Sequence, residues 1–334
     1  MILVTGGAGY IGSHAVKLLL EKGYKVTVLD NLERGYLEAV ETLQNKFGKE
    51  NLNFVEADLR DGEKIKEIMA EIKPEGVLHF AALCLVNESM EKPELYFENN
   101  DLGTLNLLKA MQEAGINKLV FSSTCAVYGE SQYLPVDENH PTHPSNPYGE
   151  SKLIAESMIK WFGKLRGLNY IIFRYFNVAG ASSDGLIGDS KKPSQLLVQC
   201  AVRGALGIEP FQLTCPKVGT KDGTPIRDYV NVEDLAEAHI MALEYLIKGG
   251  QSDLFNLGTG KGNSVLEIVN QVKEITGAEF PVTQGEARKG EYAEIYANNA
   301  KVKQVLGWKP KKSIKDGVGS LVKWYKNKPN GWKY

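Results

Sequence analysis

The sequence predicts an α/β protein: a doubly wound parallel sheet followed by a second, smaller α/β domain. Three observations predict it. Short apolar runs alternate with segments of helical periodicity through the first half of the chain. The runs are apolar throughout rather than at every second residue, as strands covered by helices on both faces are. The first run ends in a glycine cluster that leads directly into a helical pattern.

Taken in order, Ile2, Leu3 and Val4 form the first strand. Ile11, Ala15, Leu18 and Leu19 recur at helical spacing, Gly23 stops the helix, and 25–29 is a second, β-branched strand. That is a βαβ unit within about 30 residues. The alternation continues with a strand at 53–56, a helix at 62–72 and a strand at 76–80. A long helix follows at about 93–114, then a strand at 118–122, a helix at 147–165 and a strand at 170–174. After Asn177 the chain is richer in Gly, Pro, Lys and Ser up to Pro225, with one helical stretch near 193–206. An amphipathic helix at 232–246, a strand at 254–257 and helices at 264–276 and 314–325 complete the pattern. Residues 1–177, joined by about 226–257, are therefore expected to form a nucleotide-binding domain of Rossmann type. Residues 178–225 and 258–334 form the substrate domain.

Composition narrows the function classes. With 43% hydrophobic and 24% charged residues, the 334-residue chain is neither disordered, collagenous nor a coiled-coil rod. Thirty-nine basic against 41 acidic residues leave a net charge of −2, which gives no general attraction to nucleic acid or to an anionic membrane. No apolar run approaches the roughly 18 residues of a membrane span, and no secretory signal is visible. Cys84, Cys125, Cys200 and Cys215 lie far apart, so neither a disulfide scaffold nor a metal site is expected, and a reducing cytoplasm suits them.

The glycine cluster carries the first chemistry. Gly6, Gly9 and Gly12 allow a sharp turn and a close approach of backbone to a pyrophosphate, which the next helix meets with free N–H groups. Asp30 closes the second strand, where a carboxylate accepts from ribose hydroxyls and repels a 2′-phosphate, favouring NAD. Asp58, after the third strand, is either an adenine contact or a loop carboxylate. Tyr148 and Lys152 stand four apart, hence on one helix face, and the ammonium is expected to draw the phenol toward a general base's range. Thr124, past the end of the fifth strand, is placed to hold a substrate oxygen, with Ser122 and Ser123 left to packing or cofactor.

Together these stretches resemble the extended short-chain dehydrogenase/reductase family, and within it the UDP-sugar 4-epimerases, over nearly the whole chain. The resemblance rests on residues 4–14, 29–32, 79–82, 121–124, 127–129 and 174–177, and continues in 227–230 and 256–258. It implies bound NAD, a UDP-hexose substrate and the exchange of UDP-glucose with UDP-galactose. Tyr148 would take the proton of the sugar 4-hydroxyl while C4 gives hydride to NAD. Lys152 would hold the nicotinamide ribose and Thr124 the 4-oxygen. The implied cofactor pocket adds Tyr10, Ile11, Asn31, Leu59, Phe80, Ala81, Ala82, Asn99, Ser122 and Tyr175. The implied substrate contacts are Asn177, Gln195, Leu196, Gln212, Arg227, Arg288 and Glu291, the arginines gripping the diphosphate.

The chain also departs from that pattern. Cys84 stands where the family usually has a lysine near the cofactor phosphates. Gln195 replaces an Asn or His, residues 212–216 lack the usual aromatic under uracil, and Ile295 occupies the position that gates sugar size. Other UDP-sugar 4-epimerases, with an N-acetylhexosamine, pentose or uronate, are the nearest alternatives. A 4,6-dehydratase would need an acid and a base where Cys125 and Ala126 stand. A GDP-sugar epimerase-reductase and a non-catalytic nucleotide sensor are more distant. Apolar residues beyond one stripe on the helices at 93–114 and 147–165, Trp161 and Phe162 among them, suggest a homodimer.

Overall fold

Ile2–Thr5 (β1), Val26–Asp30 (β2), Leu52–Glu56 (β3), Gly76–His79 (β4), Lys118–Thr124 (β5), Asn169–Tyr175 (β6) and Asp253–Leu257 (β7) form one parallel sheet in the order β3-β2-β1-β4-β5-β6-β7. The structure is a computed structural model that describes residues 1–191, 195–287 and 292–332. Its longer helices are α1 (Tyr10–Glu21), α2 (Leu37–Phe47), α3 (Gly62–Ile72), α4 (Gly103–Glu113), α5 (Pro147–Arg166), α6 (Leu197–Ala205), α7 (Val232–Ile247), α8 (Val265–Thr276) and α9 (Ile314–Asn327).

The apolar strands are explained by what lies on each face. Side chains alternate sides along a strand. Val4, Val28, Val120 and Ile171 pack with α1, α2 and α7, while Leu3, Leu29, Leu119 and Ile172 pack with α3, α4 and α5. The chain builds β2 and β3 on one side of β1, then crosses to β4 on the other. The order therefore reverses between β1 and β4, which opens a crevice at their carboxyl ends. The segment after residue 225 returns to this sheet: α7 lies on the face of α1, and β7 pairs with β6.

Beyond the sheet, α6, α8 and α9 pack on one another through Val202, Val269, Val272, Leu321 and Trp324. Short strands tie this part to the crevice. Asn177–Ala179 pairs with Tyr229–Asn231, and Ile226–Arg227 lies between Asn263–Ser264 and Glu294–Ile295.

One helix departs from expectation. The stretch expected to be continuous from 93 to 114 is a single turn at Pro93–Tyr96, a π-helical turn at Phe97–Leu102 and then α4. The wide turn sends Asn100 across the gap. Its side chain accepts from Leu83 N (2.9 Å) and donates to Leu83 O (3.1 Å) and Ser151 Oγ (2.9 Å). Three buried backbone or hydroxyl partners are gained for one widened turn. The helix expected near 193 begins at Leu197 within the described residues.

Candidate active site

The turn from β1 into α1 has room for backbone only. Gly6 has φ +70°, and a Cβ there would lie 2.5 Å from Ala81 N. A Cβ on Gly12 would lie 2.1 Å from Gly6 O. Gly9 caps α1 with no side chain, so the first N–H groups of the helix face the crevice. These are the features of a diphosphate cradle. Asp30 is buried and accepts from Ala8 N (3.0 Å) and Leu32 N (2.9 Å), so its carboxylate shapes both loops, and each oxygen keeps further acceptor capacity. Burial raises its pKa. The residues present therefore fit a dinucleotide.

Several implied cofactor contacts are differently occupied. Tyr10 sends its hydroxyl to Gly180 O (2.6 Å), and Ile11 is partly buried against the core. Asp58 is held by Arg60 in a bidentate pair (2.9 and 2.6 Å) and by Asn31 Nδ2 (2.9 Å), which pulls its carboxyl down to about 2. Leu59 packs under Gly103, and its carbonyl accepts from Asn106. Phe80 turns its ring to His239 at 4.6 Å and offers only backbone at the Gly6 turn, where Ala81 follows. Ala82 is half-buried beside it. Asn99 Nδ2 donates to Asn100 Oδ1 (3.0 Å).

The three catalytic candidates converge at the carboxyl end of β5. Asn146 caps α5 through Gly149 N (2.9 Å), and Pro147 starts it, which fixes Tyr148 and Lys152 one turn apart. Lys152 Nζ donates to Ser122 O (2.9 Å) and lies 4.7 Å over the Phe121 ring. Thr124 hydrogen-bonds the Tyr148 phenol, and the Ser122 and Tyr175 hydroxyls bond each other.

The electrostatics correct one expectation. Burial holds the Tyr148 phenol well above its ordinary value, against the opposing pull of the Thr124 hydrogen bond. Burial also lowers Lys152 to about 8. Its ammonium bonds a carbonyl and lies over a ring, and burial is the largest influence on the phenol in the chain alone.

A buried ion pair backs this site. Glu156, one turn beyond Lys152, accepts from Arg174 Nε (2.9 Å) and Nη2 (2.6 Å) and from Ser123 Oγ (2.6 Å). Sequence reading missed this pair because its partners come from β5 and β6. It also missed Asp101 on the π turn. Both Asp101 oxygens are buried without a hydrogen-bond partner, and burial raises its carboxyl to about 7 although Lys152 opposes the shift.

The implied substrate contacts surround the mouth. Asn177 is half-buried beside Asp228. Arg227 is buried and donates to Ile226 O and Tyr292 O, both at 2.9 Å. Gln195 and Leu196 lie half-buried at the entry to α6. Gln212 is exposed in a two-residue pairing with Thr283–Gln284. Ile295 is buried against Tyr128, Val136 and Phe176. Arg288 and Glu291 lie outside the described residues.

Comparison with known proteins agrees with this geometry. The family described as GDP-mannose 4,6 dehydratase matches residues 3–321. A UDP-glucose 4-epimerase of Lactobacillus helveticus is 43% identical over 334 residues, covering 99% of each chain. UDP-arabinose 4-epimerase 1 of Arabidopsis thaliana is 40% identical over 339 residues, covering 99% of this chain and 80% of that protein. The crystal structure of UDP-glucose 4-epimerase from Bifidobacterium longum with NAD+ and UDP superposes with a TM-score of 0.93 at 35% identity, covering 99% of both chains.

Proposed function

The chain belongs to the extended short-chain dehydrogenase/reductase family, with the UDP-glucose 4-epimerases, and we propose that it interconverts UDP-glucose and UDP-galactose. NAD is its cofactor. The observation that carries this reading is the convergence of Thr124, Tyr148 and Lys152 beside a glycine turn too tight for any side chain. Residues 1–177 with 226–257 form the dinucleotide-binding domain, and 178–225 with 258–334 the smaller UDP-sugar-binding domain, each also lending residues to the other's ligand.

Bound NAD supplies a positive ring charge and an acceptor for the hydrogen on sugar C4. Tyr148 Oη takes the proton of the 4-hydroxyl and later returns it. Thr124 Oγ1 holds that oxygen. Lys152 Nζ, fixed on the Ser122 carbonyl, would hold the cofactor ribose. Since burial keeps Tyr148 protonated in the chain alone, proton removal belongs to the loaded protein, where added positive charge favours the phenolate. The keto sugar turns over in the pocket before reduction, so no net redox change results.

The elimination chemistry of a dehydratase finds no acid and base here. Thr124 is followed by Ala126 and by Cys125, whose thiol burial pushes up to about 12. The substrate mouth offers Arg227 to the diphosphate, while Ile295 lies buried behind it against Tyr128, Val136 and Phe176.

The protein works as a homodimer through α5. Ile154, Trp161 and Leu165 are exposed along it, and Leu153, Met158 and Phe162 complete an apolar groove. Among the described residues no helix is long and apolar enough to cross a membrane. Cysteines that form no disulfide among the described residues suit a cytoplasmic setting.

Purified protein given UDP-galactose without added NAD should form UDP-glucose. No product, either there or with NAD added, refutes the substrate. The same assay with a UDP-pentose tests the pentose reading that the Arabidopsis relative raises.

A further inference from the structure

Ile187–Lys191 crosses from the C-terminal helices back to the crevice, and its path is built rather than loose. Trp324 Nε1 donates to Asp189 O (3.0 Å), Trp332 N to Ser190 Oγ (2.9 Å), and Tyr36 Oη to Ser190 O (2.7 Å). Gly188 lies flat on the Trp324 indole, where a Cβ would come within 2.5 Å of the ring. The segment is thus clamped up to the residue before Lys191.

Lys191 is half-buried, and its Nζ donates to Cys84 Sγ at 3.5 Å. A thiol is a weak acceptor, and the Asp189 carboxylate, which also attracts the ammonium, makes no hydrogen bond to it. No carboxylate among the described residues lies within ion-pair distance of it. The nearby cation Arg34 has its own partner in Glu88 (2.7 Å). Cys84 itself follows Ala81 and Ala82, the strand end that closes over the Gly6 turn. Its thiol is felt by Tyr148, Lys152 and Tyr175, so it borders the same crevice. Tyr36 ties the residue before Lys191 to the β1–α1 turn, its hydroxyl donating to Ser190 O and its N–H to Ala8 O (3.0 Å), so a cation with no hydrogen-bonded carboxylate is held near the bare N-terminus of α1, and that calls for an anion.

We propose that Lys191 binds the diphosphate of the dinucleotide, delivering from another segment the positive charge that is absent at position 84. The proposal rests on the reading of the crevice as an NAD site. It makes Lys191 a cofactor-binding residue and Cys84 its rest when the anion is away.

Wild type, Lys191→Met and Lys191→Met/Cys84→Lys are purified, dialysed at raised salt, and assayed for NAD per chain, the NAD release rate and inhibition by UDP. Lys191→Met is expected to release NAD about tenfold faster, a difference of about 1.4 kcal/mol, with inhibition by UDP changed less than twofold. The double variant is expected to regain NAD because the ammonium then stems from position 84. Unchanged NAD retention in Lys191→Met overturns the proposal. So does a loss confined to UDP, which would give the lysine to the substrate diphosphate, and so does a loss of NAD that Cys84→Lys fails to restore. Wild type that carries no NAD and epimerises nothing removes the underlying reading, and the assignment with it.

Discussion

Tyr148 and Lys152 leave the same helix face but do separable work, and substitution should part them. Tyr148→Phe keeps the ring and its edge-on contact with Tyr96 (6.4 Å) while removing the only atom that moves the proton. Turnover should fall roughly 10²–10⁴-fold with NAD retained, read by epimerase assay and cofactor extraction. Unchanged turnover would remove Tyr148 from the chemistry. These residues were legible because a four-residue spacing on a helix start is a one-dimensional signal. The glycines and Asp30 were legible for the same reason. What stayed hidden depends on three-dimensional neighbours. Lys191 meets Cys84 across 107 residues of sequence, Asp101 lacks partners only once folded, and Lys152 acts on a carbonyl rather than the phenol. Burial, which sets the Tyr148 pKa, leaves no mark in a short motif.

The helix α5 carries three loads on two opposite faces, and each can be tested. Tyr148 and Lys152 serve the crevice. Glu156 points into the core, where it is fully buried and paired with Arg174, itself 4% exposed. Glu156→Gln leaves that guanidinium without its counter-charge. Breaking a buried pair from one side costs about 3–5 kcal/mol, so the unfolding free energy from a denaturant titration should fall by that much. An unfolding free energy unchanged within about 1 kcal/mol, of the order of a neutral hydrogen bond, would show the pair to be dispensable. The opposite face carries Trp161, 57% exposed, and Leu165, 65% exposed, which a lone chain would leave in water. Ile154→Arg with Trp161→Arg places two like charges on that face. Sedimentation should then report half the wild-type mass, whereas an unchanged mass would locate the dimer contact elsewhere. Helices with clear periods, such as 62–72, were read to the residue. The π turn was not, because its cause is Asn100 bonding Leu83 and Ser151 rather than any pattern within the segment.

Across the whole molecule, stability against pH is set by buried groups that lack charged partners. His14, His79 and His239 are buried and lowered to about 4, 3 and 4. Their folded pKa values lie below the unfolded value near 6.5, so the fold keeps them neutral. That stability is whole above about 6.5 and drains as pH falls toward 4. Asp101 runs the other way. Its carboxyl is raised from 3.8 to about 7, so the fold holds a proton the unfolded chain has released, and stability is lost as pH rises from about 4 to 7. Asparagine has nothing to release. Asp101→Asn should therefore match wild type near pH 4, gain on it steadily up to pH 7, and keep a constant lead of a few degrees in Tm above that. The histidine-driven acid limb should appear in both proteins, which separates the two effects in one titration of Tm against pH. A lead that is flat from pH 4 to 8 would mean that Asp101 finds a charged partner in solution, Lys152 being the nearest cation that acts on it. The π turn would then be an ion-pair site rather than a place where an acid is kept neutral.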